Sequence, residues 1–218
     1  MKEVSHLLPL MVEMKNRKVV IFGGGQVGER KASLFLKYAP TTVVSRSFTP
    51  GLCELEEQGV NLINTTGTLS DEEILGYIKD VFLVIPTTSD KEFNIRIAEL
   101  AHQSGSLVNA VDGVEDIAVP SIIEKGDITI AISTKGASPA LSKYMRKKIE
   151  ETISPEFEDM ARILKDIRPK LIQQVPKQED RSRILWTILE DSDVWEALPE
   201  SYDKALEIAL NHLINENT

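Results

Sequence analysis

Six residues, Gly23-Gly24-Gly25-Gln26-Val27-Gly28, satisfy the spacing G-x-G-x-x-G. In that pattern the first glycine permits a tight turn and the second lets a pyrophosphate approach the backbone. The third lets a helix pack closely on a strand, and the helix N-terminus faces the phosphates. The motif alone is weak, but here it follows the apolar run Val19-Val20-Ile21-Phe22 and precedes an amphipathic stretch, the context in which the pattern has its meaning. Gly23, Gly25, Gln26, Val27 and Gly28 are therefore candidate dinucleotide contacts. The acid that usually takes the ribose hydroxyls about 20 residues on is absent. Ser45 and Arg46 stand at the end of the next apolar run instead. A serine can bond a ribose hydroxyl, and an arginine can stack on adenine or pair with an extra phosphate, so NAD and NADP both stay open.

Two further groups fall at ends of apolar runs, where open α/β sheets bind ligands. Thr87-Thr88-Ser89-Asp90 follows Val81–Ile85 and offers small hydroxyls to a nicotinamide, Thr88 among them, while Ser89 is expected to cap the next helix with Asp90 favoured by its dipole. Asp112 follows Leu107–Val111. An Asp-Gly pair is commonly a turn. Beside a nicotinamide it becomes a candidate general base, because hydride removal from carbon needs an accompanying proton acceptor.

The elements that must hold these residues read as an alternation. Strands are expected at Val19–Phe22, Thr42–Val44, Val60–Ile63, Val81–Ile85 and Leu107–Val111, with helices at Gln26–Tyr38 and Ser89–Gln103. Strand, helix, strand in repeated order implies right-handed crossovers and a parallel sheet covered on both faces, an α/β Rossmann-type domain. From residue 114 the pattern changes. Ser121–Glu124 and Ile128–Ser133 flank Lys125-Gly126-Asp127 as a hairpin with one strongly apolar face, which needs a further surface to be stable. Ser138-Pro139 then caps a helix whose Leu141, Met145, Ile149 and Ile153 form one stripe. After Pro155 three or four short helices are expected, separated at Pro169, Pro176 and Pro199. The expected division is a nucleotide domain at 1–113, a hairpin and helix at 114–153 and a helical domain at 154–218.

Composition narrows the function classes. The 218 residues carry a net charge of −9 with 42% hydrophobic residues, ordinary for a globular chain. An acidic chain lacks the summed positive field that nucleic acid or an anionic membrane requires, so neither is an expected partner. Cys53 and three scattered histidines cannot build a dedicated Cys/His metal cage, and no metal site is expected. The N-terminal apolar run is too short for a membrane span, and a cytoplasmic location is expected. The three segments carry −3, +1 and −7. Within the middle one, Lys135, Lys143, Arg146, Lys147 and Lys148 form a run of fifteen residues without an acid.

Four motifs in order carry a family resemblance: Gly23-Gly24-Gly25-x-Val27-x-Glu29-Arg30-Lys31, Asn109-Ala110-Val111-Asp112, Pro120-Ser121-Ile122-Ile123, and Ala131-Ile132-Ser133-Thr134-Lys135-Gly136-Ala137-Ser138-Pro139. From about Leu7 to Ile153 the chain resembles precorrin-2 dehydrogenase, the N-terminal module of siroheme synthase. The resemblance implies NAD-dependent oxidation of precorrin-2, a polycarboxylate tetrapyrrole, to sirohydrochlorin, with iron insertion at the same site in some members. It places cofactor contacts on Gly23, Gly25, Gln26 and Val27 and on Ser47 and Phe48, and the catalytic aspartate on Asp112. It makes the hairpin and its helix a dimerisation unit, hence a homodimer.

Many members have Ser-Gly-Gly-Thr-Ser-Pro where this chain has Thr134 to Pro139, so a regulatory serine of some members is replaced by Thr134. Lys135, Ser138 and Lys143 are the candidate substrate contacts, since a local cationic wall can orient a polyanion on an acidic protein. The alternatives are a bifunctional enzyme that also inserts ferrous iron and, from another class, an NAD-sensing regulatory module. Such modules usually carry the ribose acid and lack the Pro-Ser-Ile-Ile hairpin.

Overall fold

The computed structural model describes residues 7–110 and 116–215. The chain divides into two compact units, Met1–Val119 and Pro120–Thr218, so the hairpin and its helix fall with the C-terminal helices.

The first unit is a five-stranded parallel sheet. Its strands are β1 (Val19–Phe22), β2 (Thr41–Ser45), β3 (Asn61–Asn64), β4 (Leu83–Pro86) and β5 (Leu107–Val108), in the spatial order β3-β2-β1-β4-β5. The four helices are α1 (Gln26–Phe35), α2 (Pro50–Glu57), α3 (Asp71–Ile78) and α4 (Lys91–Gln103). β1 and β4 are buried along their whole length, as continuous apolar runs in a doubly covered sheet must be. Alternation along each strand sends side chains to two separate cores. Val20, Phe22, Val44 and Val84 pack with Ile74, Ile78, Ile97 and Ala101 of α3 and α4, and Val19, Ile21, Val43 and Ile85 pack with Ala32, Phe35 and Leu52 of α1 and α2. The order reverses between β1 and β4, the switch point at which such sheets open a crevice.

Local chemistry sets the boundaries. α2 starts where the Thr49 hydroxyl accepts the N–H of Leu52 ahead of Pro50, and α3 starts on a reciprocal Ser70–Glu73 capping box. Both helices are short and were not separately expected. α1 ends three residues before Tyr38. α4 starts two residues later than expected, because its cap is Asp90, not Ser89: the Asp90 carboxylate accepts the N–H of Phe93. Either residue type can cap, and the register of the strand end decides which one reaches the free N–H groups. β5 pairs with β4 only at Leu107 and Val108.

The second unit begins with the hairpin β6 (Ser121–Lys125) and β7 (Ile128–Ile132), closed by the two residues Gly126 and Asp127, with Gly126 at φ +53. The Lys165 ammonium and the Asp127 carboxylate pair at 2.6 Å, tying the turn to helix α6 (Pro155–Gln174). Ahead of it, α5 (Pro139–Thr152) has no buried residue, and Leu141, Tyr144 and Met145 are exposed. After α6 come α7 (Gln178–Glu190), α8 (Ser192–Ala197) and α9 (Tyr202–Asn215) around Ile163, Ile167, Leu171, Ile184, Ile188 and Ala209. Pro169 does not separate two helices as expected: α6 runs through it for 20 residues. The buried stripe Met160-Ile163-Ile167-Leu171 spans the proline, and burial outweighs the hydrogen bond lost on the solvent side, where Pro169 lies.

Candidate functional site

A cleft of about 700 Å³ opens at the carboxyl edge of the sheet, over the β1/β4 switch point. Its wall includes the glycine turn, the β2 exit Ser45–Thr49, the segment from Thr65 to Leu69, and Thr87 to Asp90. Its volume lies within the range of small-molecule and cofactor sites.

The four glycines have separate tasks. Gly23 takes φ +120, and a side chain there would meet the Thr87 backbone at 2.8 Å. A Cβ on Gly24 would sit 2.1 Å from the Ser47 carbonyl, and one on Gly28 would sit 2.0 Å from the Gly23 carbonyl. These three are buried and are glycine for packing. Gly25 is exposed, and a Cβ there would meet nothing within 4 Å. It is also the N-cap of α1 with no side-chain cap, which leaves the first-turn N–H groups of that helix to the cleft. An uncapped helix start with an open cradle beside it fits a dinucleotide pyrophosphate.

Hydrogen bonds latch the turn. Gly23 N–H donates to the Val44 carbonyl (3.0 Å), Gly24 N–H to Ser45 Oγ (2.9 Å), and Thr49 N–H to the Gly24 carbonyl (3.1 Å). Ser45, expected at a ribose hydroxyl, therefore spends an acceptor position on the turn and keeps its hydroxyl proton to donate. Arg46 and Ser47 are exposed at the rim, and Phe48 is half-buried against the α1/α2 core. Among the described residues lining the cleft, Arg46 is the only cation and Asp90 the only acid.

Thr88 lies in the cleft wall, but its side chain is engaged. Its Oγ1 donates to Asn94 Oδ1 at 2.7 Å, and Asn94 Nδ2 returns a bond to the Thr88 carbonyl at 3.0 Å. Asn94 is buried, and sequence reasoning missed it because an asparagine inside a helical pattern carries no sign of what it turns toward. Thr65 and Thr68 were missed as well. They stand in a loop between β3 and α3 that becomes part of the cleft only when the sheet forms.

Asp112 lies outside the described residues. The chain on either side of it is firmly held: Asp116 and Ile117 N–H both donate to the Val108 carbonyl, at 3.0 and 3.2 Å, and Val108 N–H donates to Asp116 Oδ2 at 2.9 Å.

The other candidates, Lys135, Ser138 and Lys143, belong to the second unit. Ser138 Oγ accepts the N–H of Leu141 and caps α5 as expected. Lys135 takes φ +49 and precedes Gly136 at φ +78, in a turn closed by the Ala137 N–H to Thr134 carbonyl bond of 2.9 Å. Both central residues are left-handed, a conformation that favours glycine or asparagine and costs a lysine about 1 kcal/mol. Lys143 is exposed on the second turn of α5. Among the described residues no group of three His, Cys, Asp or Glu stands close enough to hold a metal ion. No described helix is long and apolar enough to cross a membrane.

A parallel sheet in this order, with an open glycine cradle at its switch point, defines a Rossmann-type dinucleotide-binding protein. Residues 10–121 match a family described as "Putative NAD(P)-binding", and residues 125–152 match "Sirohaem biosynthesis protein central". The chain is 45% identical over 223 aligned residues, covering all of both chains, to a precorrin-2 dehydrogenase of Methanosarcina barkeri. It is 33% identical to a siroheme synthase of Pseudoalteromonas translucida, covering 95% of this chain and 43% of that one. The solved structure of SirC, a precorrin-2 dehydrogenase, superposes with a TM-score of 0.72 at 22% identity, over 96% of this chain and all of that one, and shares the fold. The chain belongs to the precorrin-2 dehydrogenase family.

Proposed function

We propose that the protein oxidises precorrin-2 to sirohydrochlorin with NAD as the hydride acceptor. The observation that carries the reading is the Gly25 cradle at an uncapped helix start, in a chain related along its whole length to a precorrin-2 dehydrogenase. The first-turn N–H groups at Gln26 and Val27 would hold the pyrophosphate, with Gly23 and Gly28 keeping the turn and helix tight against β1. Ser45, Arg46, Ser47 and Phe48 would border the adenosine half, and Thr88 the nicotinamide half. Bound NAD supplies the hydride acceptor. Asp112 would take the proton released from the carbon framework, so two electrons and one proton leave as a hydride and a second proton passes to the carboxylate.

No carboxylate stands at the end of β2, and the Arg46 cation there could meet a phosphate on the ribose, so NADP is the alternative acceptor. Lys135, Ser138 and Lys143 would meet the substrate carboxylates. The uncovered Leu141, Tyr144 and Met145 of α5 support pairing with a second copy in a homodimer. A cytoplasmic location fits an NAD-dependent reaction.

The test is direct: purified protein, NAD and precorrin-2 are mixed without oxygen, and sirohydrochlorin absorbance is followed. Stoichiometric NADH with sirohydrochlorin supports the reading. Folded protein that binds NAD yet never converts precorrin-2 overturns it.

A further inference from the structure

Ser89 does not cap α4, and this leaves it available to a ligand. Asp90 is the cap, its carboxylate accepting the Phe93 N–H at 3.0 Å, and Ser89 stands on the cleft wall beside it. Its neighbours have their polar groups engaged within the protein. Thr87 turns both its N–H and its hydroxyl to the Phe22 carbonyl, at 2.8 and 3.1 Å. Thr88 gives its N–H to Asn94 Oδ1 at 3.0 Å and its hydroxyl to the same oxygen at 2.7 Å, and its carbonyl accepts from Asn94 Nδ2 at 3.0 Å. Asp90 N–H donates to Thr88 Oγ1 at 3.2 Å. Ser89 is exposed, and its N–H and hydroxyl have no partner among the described residues.

Asn94 explains which way Ser89 faces. It lies on the buried stripe of α4 with Ile97, Ala98 and Ala101 and is 5% exposed. An amide is costly in such a place unless its hydrogen bonds are made, and all three go to one residue of the cleft wall. Only one orientation of the amide serves them; the reverse would set donor against donor and acceptor against acceptor. The Thr88 carbonyl and the Ser89 N–H belong to the same trans peptide and point in opposite directions. With the carbonyl drawn to the buried Asn94, the Ser89 N–H is turned away from it.

We propose that Ser89 is the contact of the β4 edge with the nicotinamide riboside of the dinucleotide, and that Asn94 is the positioning residue that presents it. A dinucleotide lies across the switch point with its halves on opposite sides, so adenosine at the β2 exit leaves the nicotinamide half to the β4 exit. Two donors there, an N–H and a hydroxyl, suit the oxygens of that half. The proposal rests on the dinucleotide-dependent reading above.

The experiment measures, by calorimetry on the full chain, the affinities of NAD and of ADP, which fills the adenosine and diphosphate part of the site but lacks the nicotinamide riboside. Wild type is expected to bind NAD more tightly than ADP. Ser89→Ala should weaken NAD by about 3- to 10-fold, the worth of one hydrogen bond, and leave ADP within twofold. Asn94→Ala should weaken NAD by at least as much, again with ADP within twofold. The double variant should bind NAD about as Asn94→Ala does, because Ser89 has already lost its placement. Thr88→Val, of the same shape, loosens the clasp by its 2.7 Å bond and shows the same selective loss should Asn94→Ala not fold. Equal losses of NAD and ADP in Asn94→Ala mean a structural role and overturn the proposal. Unchanged NAD affinity in Ser89→Ala, losses that multiply in the double variant, or a wild type that binds NAD no more tightly than ADP overturn it too. A wild type that binds NAD but never oxidises precorrin-2 defeats the dehydrogenase reading instead, and the comparison of NAD with ADP still decides the roles of Ser89 and Asn94.

Discussion

Gly25→Ala separates the cradle from the fold. The added Cβ meets no atom within 4 Å, and the backbone at φ −85, ψ −174 suits alanine. Alanine is a poorer N-cap than glycine by a few tenths of a kcal/mol or more, while the smaller freedom of its unfolded chain returns about 0.4 to 1 kcal/mol. The two nearly cancel, so the melting temperature of the free protein should move by no more than about 3 °C, given roughly 2 to 4 °C per kcal/mol at this size. Binding should respond differently. The methyl group occupies the space a pyrophosphate needs, and a loss of at least tenfold in NAD affinity, about 1.4 kcal/mol or more, is expected. Thermal melts with and without NAD read both effects. At a hundred times Kd, NAD adds about 2.7 kcal/mol to the wild type, a rise of roughly 5 to 10 °C. In Gly25→Ala a tenfold weaker Kd leaves about 1.4 kcal/mol at the same concentration, so at least about half of that rise disappears. Gly28→Ala is the contrast, since its Cβ would lie 2.0 Å from the Gly23 carbonyl, and the free protein itself should be severely destabilised. An NAD-induced rise in Gly25→Ala equal to that of wild type would falsify the cradle assignment.

Asp112→Ala should abolish sirohydrochlorin formation while leaving NAD affinity within twofold, and normal turnover would remove the aspartate from its role. Lys135→Gly relieves about 1 kcal/mol of left-handed strain, and the greater freedom of its unfolded chain takes back about 0.4 to 1 kcal/mol, so the melting temperature should rise by no more than about 2 °C. Its KM for precorrin-2 should also rise, by about two- to fivefold, the worth of one exposed charge contact; an unchanged KM refutes the substrate contact.

In the helical unit, burial pushes the Asp191 carboxyl up. Hydrogen bonds from His212 Nε2 and the Asp193 N–H, with the charge of His212, outweigh that and hold it below the usual aspartate value of 3.8. Its stabilisation is therefore present above about pH 4 and lost as pH falls through the lowered native value. Circular dichroism melts at descending pH should show wild type losing stability there. Asp191→Asn, which still caps α8, should show a shallower acid loss; identical acid limbs refute the pairing.

The parallel sheet was legible because buried strands announce themselves as apolar runs, and β1 and β4 are buried at every residue. α2 and α3 were not, since each has eight residues and they bury only Leu52 and the pair Ile74 and Ile78, too few to establish a period. Pro169 misled in the opposite sense: a local breaker predicts an end, but the stripe that α6 buries is set by tertiary packing. In the cleft, the motif glycines were readable one by one, though Gly24, a free position in the pattern, proves as constrained as Gly28. Asn94 and Asn109 were beyond reach as partners. What makes each matter is a bond that no periodicity shows, from Asn94 to Thr88 across the turn between β4 and α4 and from Asn109 to Lys31 across 78 positions.

Charge pairing within α5 bears on how an acidic protein would take an acidic substrate. Of the five cations in the run from Lys135 to Lys148, Arg146 pairs with Glu150 and Lys148 with Glu151, both at 3.0 Å along the helix. Lys135, Lys143 and Lys147 have no carboxylate partner among the described residues and are exposed. Lys143 and Lys147 are four residues apart and share a face of α5. The net −9 is a sum over a chain whose acids concentrate after residue 150, and at distances beyond about 10 Å in salt that sum is screened. A polycarboxylate would respond to the cations it touches. Three unpaired lysines, one of them kept in a backbone conformation that costs a lysine about 1 kcal/mol, are where the proposed substrate would be met.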